Sequence, residues 1–134
     1  MSSSLDILAQ LKKGIDESEE LIEYTKRVLN EVRAHGRSDR INILLKKVTK
    51  LYNGLQNLTT TFNKDLIGRA DEYTRDYIVT YIKYLLMVSI PYEIDLLNEI
   101  NNRVDRDDND IVSKLNQALT LMNQLREIVN TLEI

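Results

Sequence analysis

The chain has no cysteine and no tryptophan, and only one proline, four glycines and one histidine in 134 residues. Without cysteine there are no disulfides, thiol catalysis, zinc ribbons, iron–sulfur clusters or covalently attached c-type haem. A lone histidine, His35, cannot build a poly-histidine metal site. So few chain breakers cannot supply the turns of a β-sandwich or barrel, which leaves an all-α class. Long apolar runs are missing too. The most apolar stretch, Tyr77 to Tyr92, carries Lys83, ends at Pro91 and falls short of the ~20 residues a bilayer span needs. The opening Met1-Ser2-Ser3-Ser4 leads into no cationic-then-apolar run, so no secretion signal is expected and the chain reads as soluble. With serine at position 2, N-myristoylation is not expected. The sequon Asn57-Leu58-Thr59 then reads as chance. There is no glycine-rich phosphate loop, no Ser/His/Asp set and no Cys/His pair, so neither an enzyme nor a cofactor is expected.

What is present is a chain 43% apolar and 29% charged, with a net charge of −3. That balance fits one globular domain over residues 1–134 and excludes a strongly basic nucleic-acid packager. Four helical segments emerge from the apolar spacing. The first seam, Leu8, Leu11, Ile15, Ser18, Ile22, Thr25, Leu29 and Val32, alternates steps of three and four, and Leu21 and Val28 widen it. Ser4 with Asp6 offers an N-terminal cap region, and Gly36 a left-handed stop. The second segment is expected to start from Ser38 as N-cap and to run Ile41, Leu45, Val48, Tyr52, Leu55, Thr59, Phe62. Gly54 falls inside it, either a weak point of about 1 kcal/mol or a place of close helix approach.

A connection near residues 63–70 precedes the third segment. Its seam is expected to be Thr74, Tyr77, Tyr81, Tyr84 and Val88 before Pro91, then Ile94, Leu97, Asn101 and Val104. Pro91 should kink the helix or split it, with Ser89 or Ile90 capping. An acidic turn follows, then Ile111, Leu115, Ala118, Met122, Leu125, Val129 and Leu132. Four such seams joined by short turns predict an antiparallel up-down-up-down four-helix bundle, its helices crossing at about 20°.

Three carboxylate or histidine features invite chemistry. Asp105 to Asp110 starts like a calcium loop, but Asp110 stands where glycine belongs and Asn116 where a bidentate glutamate belongs, so a solvated turn is the expectation. Glu17, Glu19, Glu20 and Glu23 lie mostly off the first seam and lack the Glu-x-x-His partners of a di-iron bundle. His35 suits the C-terminal end of a helix dipole. None predicts a metal.

Charge layout is more informative. Residues 26–50 carry eight cations against two anions, and residues 91–134 carry nine anions against four cations. The bundle order places the basic turn, with Arg33, Arg37, Arg40 and Lys47, at the same end as the acidic turn with Asp107 and Asp108. These groups either neutralise one another within the molecule or form charged docking turns. The basic turn lacks the interleaved aromatics expected of a nucleic-acid site. The third segment is apolar nearly all round, and a helix of that kind is central in its fold or covered by another molecule. Tyr73, Tyr77, Tyr81 and Tyr84, continued by Met87 and Ile90, form the candidate oligomer or partner interface, because tyrosine suits surfaces that are apolar in body and wet at the tip.

The plain heptad seams from Leu8 to Val32 and from Ile111 to Leu132, the lack of Cys and Trp and the richness in Ile, Tyr and Asn resemble the small four-helix-bundle proteins of archaeal viruses, such as the coat-protein type of a two-tailed Acidianus virus. The resemblance covers the whole chain and rests on architecture and composition. It implies a self-associating structural protein of a virion, found in the virion or the host cytoplasm. Related bundles in that group inhibit host RNA polymerase. The alternative implied is therefore a small helical inhibitor or adaptor that binds a larger host or viral protein.

Overall fold

A computed structural model describes residues 3–132; Met1, Ser2, Glu133 and Ile134 lie outside the described residues. The fold is all-α, with no strand among the described residues. Helix α1 spans Ser4–His35 and begins with a reciprocal cap. The Ser3 hydroxyl accepts from the Asp6 amide at 3.1 Å, and the Asp6 carboxylate accepts from the Ser3 amide at 3.0 Å. It ends at Gly36, whose φ of 74° is a left-handed conformation that a side chain would strain.

Helix α2 spans Ile41–Thr61. Ser38 is not its N-cap as expected: Arg40 holds that position with no side-chain cap. Ser38 is buried and pins the turn instead. Its hydroxyl donates to Glu31 at 2.8 Å and accepts from the Arg40 amide at 3.1 Å. The expected connection over residues 63–70 contains a short helix of its own, α3, Lys64–Arg69, capped by the Asn63 side chain. Ile67 of α3 is fully buried, so this piece adds a residue to the core.

Helix α4, Glu72–Tyr84, is capped by Asp71, and α5, Ile90–Arg103, follows it. The helix does not split at Pro91. Residues 84, 85, 89 and 90 all keep right-handed helical angles, and a π-helical turn, Leu85–Ser89, joins α4 to α5 in one rod. The physical reason is local. Pro91 has no N–H to give to the Met87 carbonyl, and its ring would crowd that carbonyl in a tight α-turn. Widening the preceding turn, with the Ile90 amide reaching back five residues to Leu85, relieves both.

Helix α6, Asn109–Asn130, is capped by the Asp108 carboxylate, which accepts from the Ile111 amide at 3.2 Å. α1 packs on α2 and on the α4–α5 rod, and α6 packs on α2 and on α5. Two cross-links, Thr25 with Glu93 and Arg33 with Glu99, show that α1 and α5 run in the same direction. Leu11, Val28, Val48, Leu58, Ile78, Leu97, Leu115 and Leu125 fill the shared core. Each such side chain contributes about 1.5–3 kcal/mol relative to exposure.

The third seam is displaced from its expected line. Thr74, Ile78, Ile82, Leu85 and Ser89 face inward, while Tyr77, Tyr84 and Val88 are exposed and Tyr81 is half-buried. Ile and Leu outcompete tyrosine for the dry side, because a buried phenol must find a hydrogen-bond partner. No helix among the described residues is long and apolar enough to cross a membrane.

Candidate functional site

The α4–α5 rod carries most of the large apolar groups that the fold leaves exposed. Tyr73, Tyr77, Tyr84, Met87, Val88 and Tyr92 all lie on it, whereas Leu5 and Ile43 stand alone on α1 and α2. Met87 is 72% exposed and Tyr73 79%. Isolated apolar residues are ordinary on a surface, but a run along one rod is not. The π turn contributes directly: its extra residue brings both Ser89 and Ile90 to the inward side, and Met87 and Val88 are left exposed between them and Leu85. Tyr77 and Tyr81 stack obliquely, ring centroids 6.1 Å apart, and Tyr81 leans on the core.

Of the six expected interface residues, Tyr73, Tyr77, Tyr84 and Met87 are on the outer face and Tyr81 sits at its edge. Ile90 is a correction. It is fully buried, because the wide turn returns the chain to the inward side at that residue. Tyr92, absent from the expected set, extends the stripe, with the Lys26 ammonium 5.3 Å from its ring centroid. Tyr92 and then Glu23 hold that ammonium above the usual lysine range.

The charged docking turns are largely engaged within the molecule. Arg33 reaches Glu99 at 2.9 Å, joining the basic end of α1 to α5. Arg40 pairs with Glu31, and the hydrogen bonds from Ser38 and Arg40 hold the Glu31 carboxyl below its ordinary range. Lys47 lies over the Tyr24 ring at 5.1 Å from its centroid. Asp108 caps α6, and the Asp107 amide donates to the Asp105 carboxylate at 2.9 Å. Arg37 is exposed at the turn. Among the described residues no ion pair joins this turn to the acidic one, and no three His, Asp or Glu side chains gather as a metal site. Within the former calcium-like stretch, Asp110 pairs with Lys114 at 2.7 Å. Of the α1 glutamates, Glu17 pairs with Lys13 and Glu23 with Lys26.

One polar group escaped the sequence reading. Glu93 is 1% exposed, between α5 and α1. Its Oε2 lies 2.7 Å from the Thr25 hydroxyl, while its Oε1 and the Ser89 hydroxyl one turn earlier have no hydrogen-bond partner. Burial pushes the Glu93 carboxyl up to about 8, with the Thr25 bond opposing the shift. A signal was available in the sequence. Glu93 stands three residues after Ile90 and four before Leu97, on the same inward stripe.

Compared with known proteins, the chain matches no family model, no curated protein and no solved structure.

Proposed function

We propose that this is a non-enzymatic structural protein that self-associates, of the kind that builds a virion coat, on a four-rod up-down-up-down bundle. The observation that carries this reading is the outward stripe Tyr73, Tyr77, Tyr84, Met87 on a single rod. Tyrosine and methionine are the residues enriched in protein interfaces, and the cost of leaving this stripe in water is recovered when a second copy covers it. The shared direction of α1 and α5 fits a chain that runs up, down, up and down, although α1 packs directly on α5 and α2 on α6, where a simple antiparallel bundle would leave each of those pairs diagonal. The alternative, a helical inhibitor or adaptor for a larger protein such as a host RNA polymerase, leans on the charged turns. Arg33, Arg40 and Lys47 are already engaged by Glu99, Glu31 and Tyr24, so that reading ranks second.

The test is substitution on the stripe. Tyr77→Glu and Met87→Glu place a charge on the outer face without touching the core. Each is expected to lower the mass of the assembly in sedimentation while the helical circular dichroism stays as in the wild type. An assembly unchanged by both substitutions overturns the reading.

A further inference from the structure

The outer face of α4 has a layout that fits a copy of itself. Residues seven apart on an α-helix share a line along its surface, drifting only about 20°. Three such lines run side by side here. Tyr73 and Thr80 make the middle line, which Met87 continues from the π turn after α4; Tyr77 and Tyr84 flank it on one side, and Asp76 and Lys83 flank it on the other. All seven residues are exposed. Asp76 and Lys83 stand about 10 Å apart along the helix, too far to pair with each other. Neither makes an ion pair among the described residues.

A two-fold interface requires a surface that is complementary to itself. A parallel pairing of this face would set Asp76 against Asp76 and Lys83 against Lys83. An antiparallel pairing centred on Thr80 does the opposite. Tyr73 then meets Met87 of the other copy, Tyr77 meets Tyr84, and Asp76 meets Lys83, each contact occurring twice. Thr80, the smallest residue of the face, lies at the crossing, where the backbones come nearest. We infer that two copies of this chain pair antiparallel through α4, about a two-fold axis at Thr80, with two Asp76–Lys83 ion pairs fixing register and direction. This rests on the self-association proposed above and specifies its geometry. A face about four turns long is small beside the roughly 800 Å² per partner of a standard interface, so the pairing is expected to depend on concentration.

The chain has no cysteine, which makes engineered disulfides clean reporters. Thr80→Cys is expected to cross-link to itself under mild oxidation. Tyr73→Cys alone is not, because its two copies would lie about 21 Å apart, at opposite ends of the paired helices. A mixture of Tyr73→Cys and Met87→Cys chains is expected to cross-link. Charge reversal gives a second test. Asp76→Lys and Lys83→Asp should each weaken dimerisation on the order of tenfold, and the double variant Asp76→Lys/Lys83→Asp should restore it. Self-cross-linking of Tyr73→Cys would establish a parallel pair and overturn the inference. A wild-type dimer in which Thr80→Cys fails to cross-link, or in which the double reversal fails to restore pairing, overturns this geometry while leaving self-association standing. A wild type that stays monomeric overturns both.

Discussion

The Thr25 hydroxyl and the Glu93 carboxyl meet 2.7 Å apart across the α1–α5 contact, and the same hydroxyl lies 2.8 Å from the Leu21 carbonyl. A hydroxyl has one proton, and both of these neighbours accept when Glu93 is ionised. Only one of the two bonds can then be made. With Glu93 protonated, the carboxyl donates to Thr25 Oγ1 and Thr25 donates to Leu21, and both bonds form. The geometry therefore favours the neutral acid, as burial does. No nearby cation offsets this. Lys26 on α1 is held by Tyr92 and Glu23, Arg33 by Glu99, and the buried face of α6 is Leu115, Ala118, Met122, Leu125 and Val129.

Stability should accordingly fall as pH rises. The folded protein keeps a proton that the unfolded chain releases from the ordinary value of 4.5 upward. The stabilisation is complete below that value and is lost progressively until the folded-state value of about 8 is passed. The slope within this window is at most about 1.4 kcal/mol per pH unit. Glu93→Gln keeps the shape and can donate to Thr25 at any pH. Urea melts at pH 5, 6.5 and 8 should show a flatter profile for Glu93→Gln and greater stability than wild type at pH 8. Parallel profiles for the two proteins would refute the assignment.

The glycines of α1 and α2 should respond in opposite ways to alanine. A Cβ at Gly14 would lie 2.7 Å from Leu55 Cδ2, and Leu55 is itself buried. A Cβ at Gly54 would meet nothing within 4 Å. Gly54→Ala is expected to stabilise by up to about 1 kcal/mol through helix propensity. Gly14→Ala gains the same propensity but crowds the α1–α2 contact, and should be net destabilising by about 1 kcal/mol. Thermal or urea midpoints decide it, and equal shifts of the same sign would contradict the packing.

The Arg33–Glu99 pair is short but open to solvent, both side chains being more than two-fifths exposed. Its worth should be no more than about 1 kcal/mol. Arg33→Ala is expected to shift the urea midpoint slightly, and the shift should shrink in high salt. A large, salt-independent loss would mean that Arg33 holds the end of α1 against α5 by packing instead.

Much of this fold is legible in the residues. The first and last seams are buried almost as spaced, from Leu11 to Val32 and from Leu115 to Val129, because nothing interrupts their 4-3 rhythm. Gly36 ends α1 as its left-handed φ requires. Legibility fails at the rod. A 4-3 rhythm runs equally well through Tyr77 and Tyr84 as through Ile78 and Ile82, so spacing alone leaves those tyrosines as core seam or as outer face, and it cannot anticipate the π turn that carries Ile90 inward. The choice between Gly54 and Gly14 as the point of close approach depends on which residue faces Leu55, a tertiary fact. Glu93 was hidden by its type, since a carboxylate in a polar-rich helix is ordinarily on the wet side. Of the candidate site, the tyrosines were readable as an amphipathic surplus. Which of them faced outward was not.

In the proposed assembly a second copy of the chain covers the stripe on the α4–α5 rod. Light scattering after size-exclusion chromatography, over a wide range of protein concentration, tests it most directly. The mass is expected to rise with concentration from 15.6 kDa to at least twice that value. A mass that stays at 15.6 kDa at every concentration would contradict it.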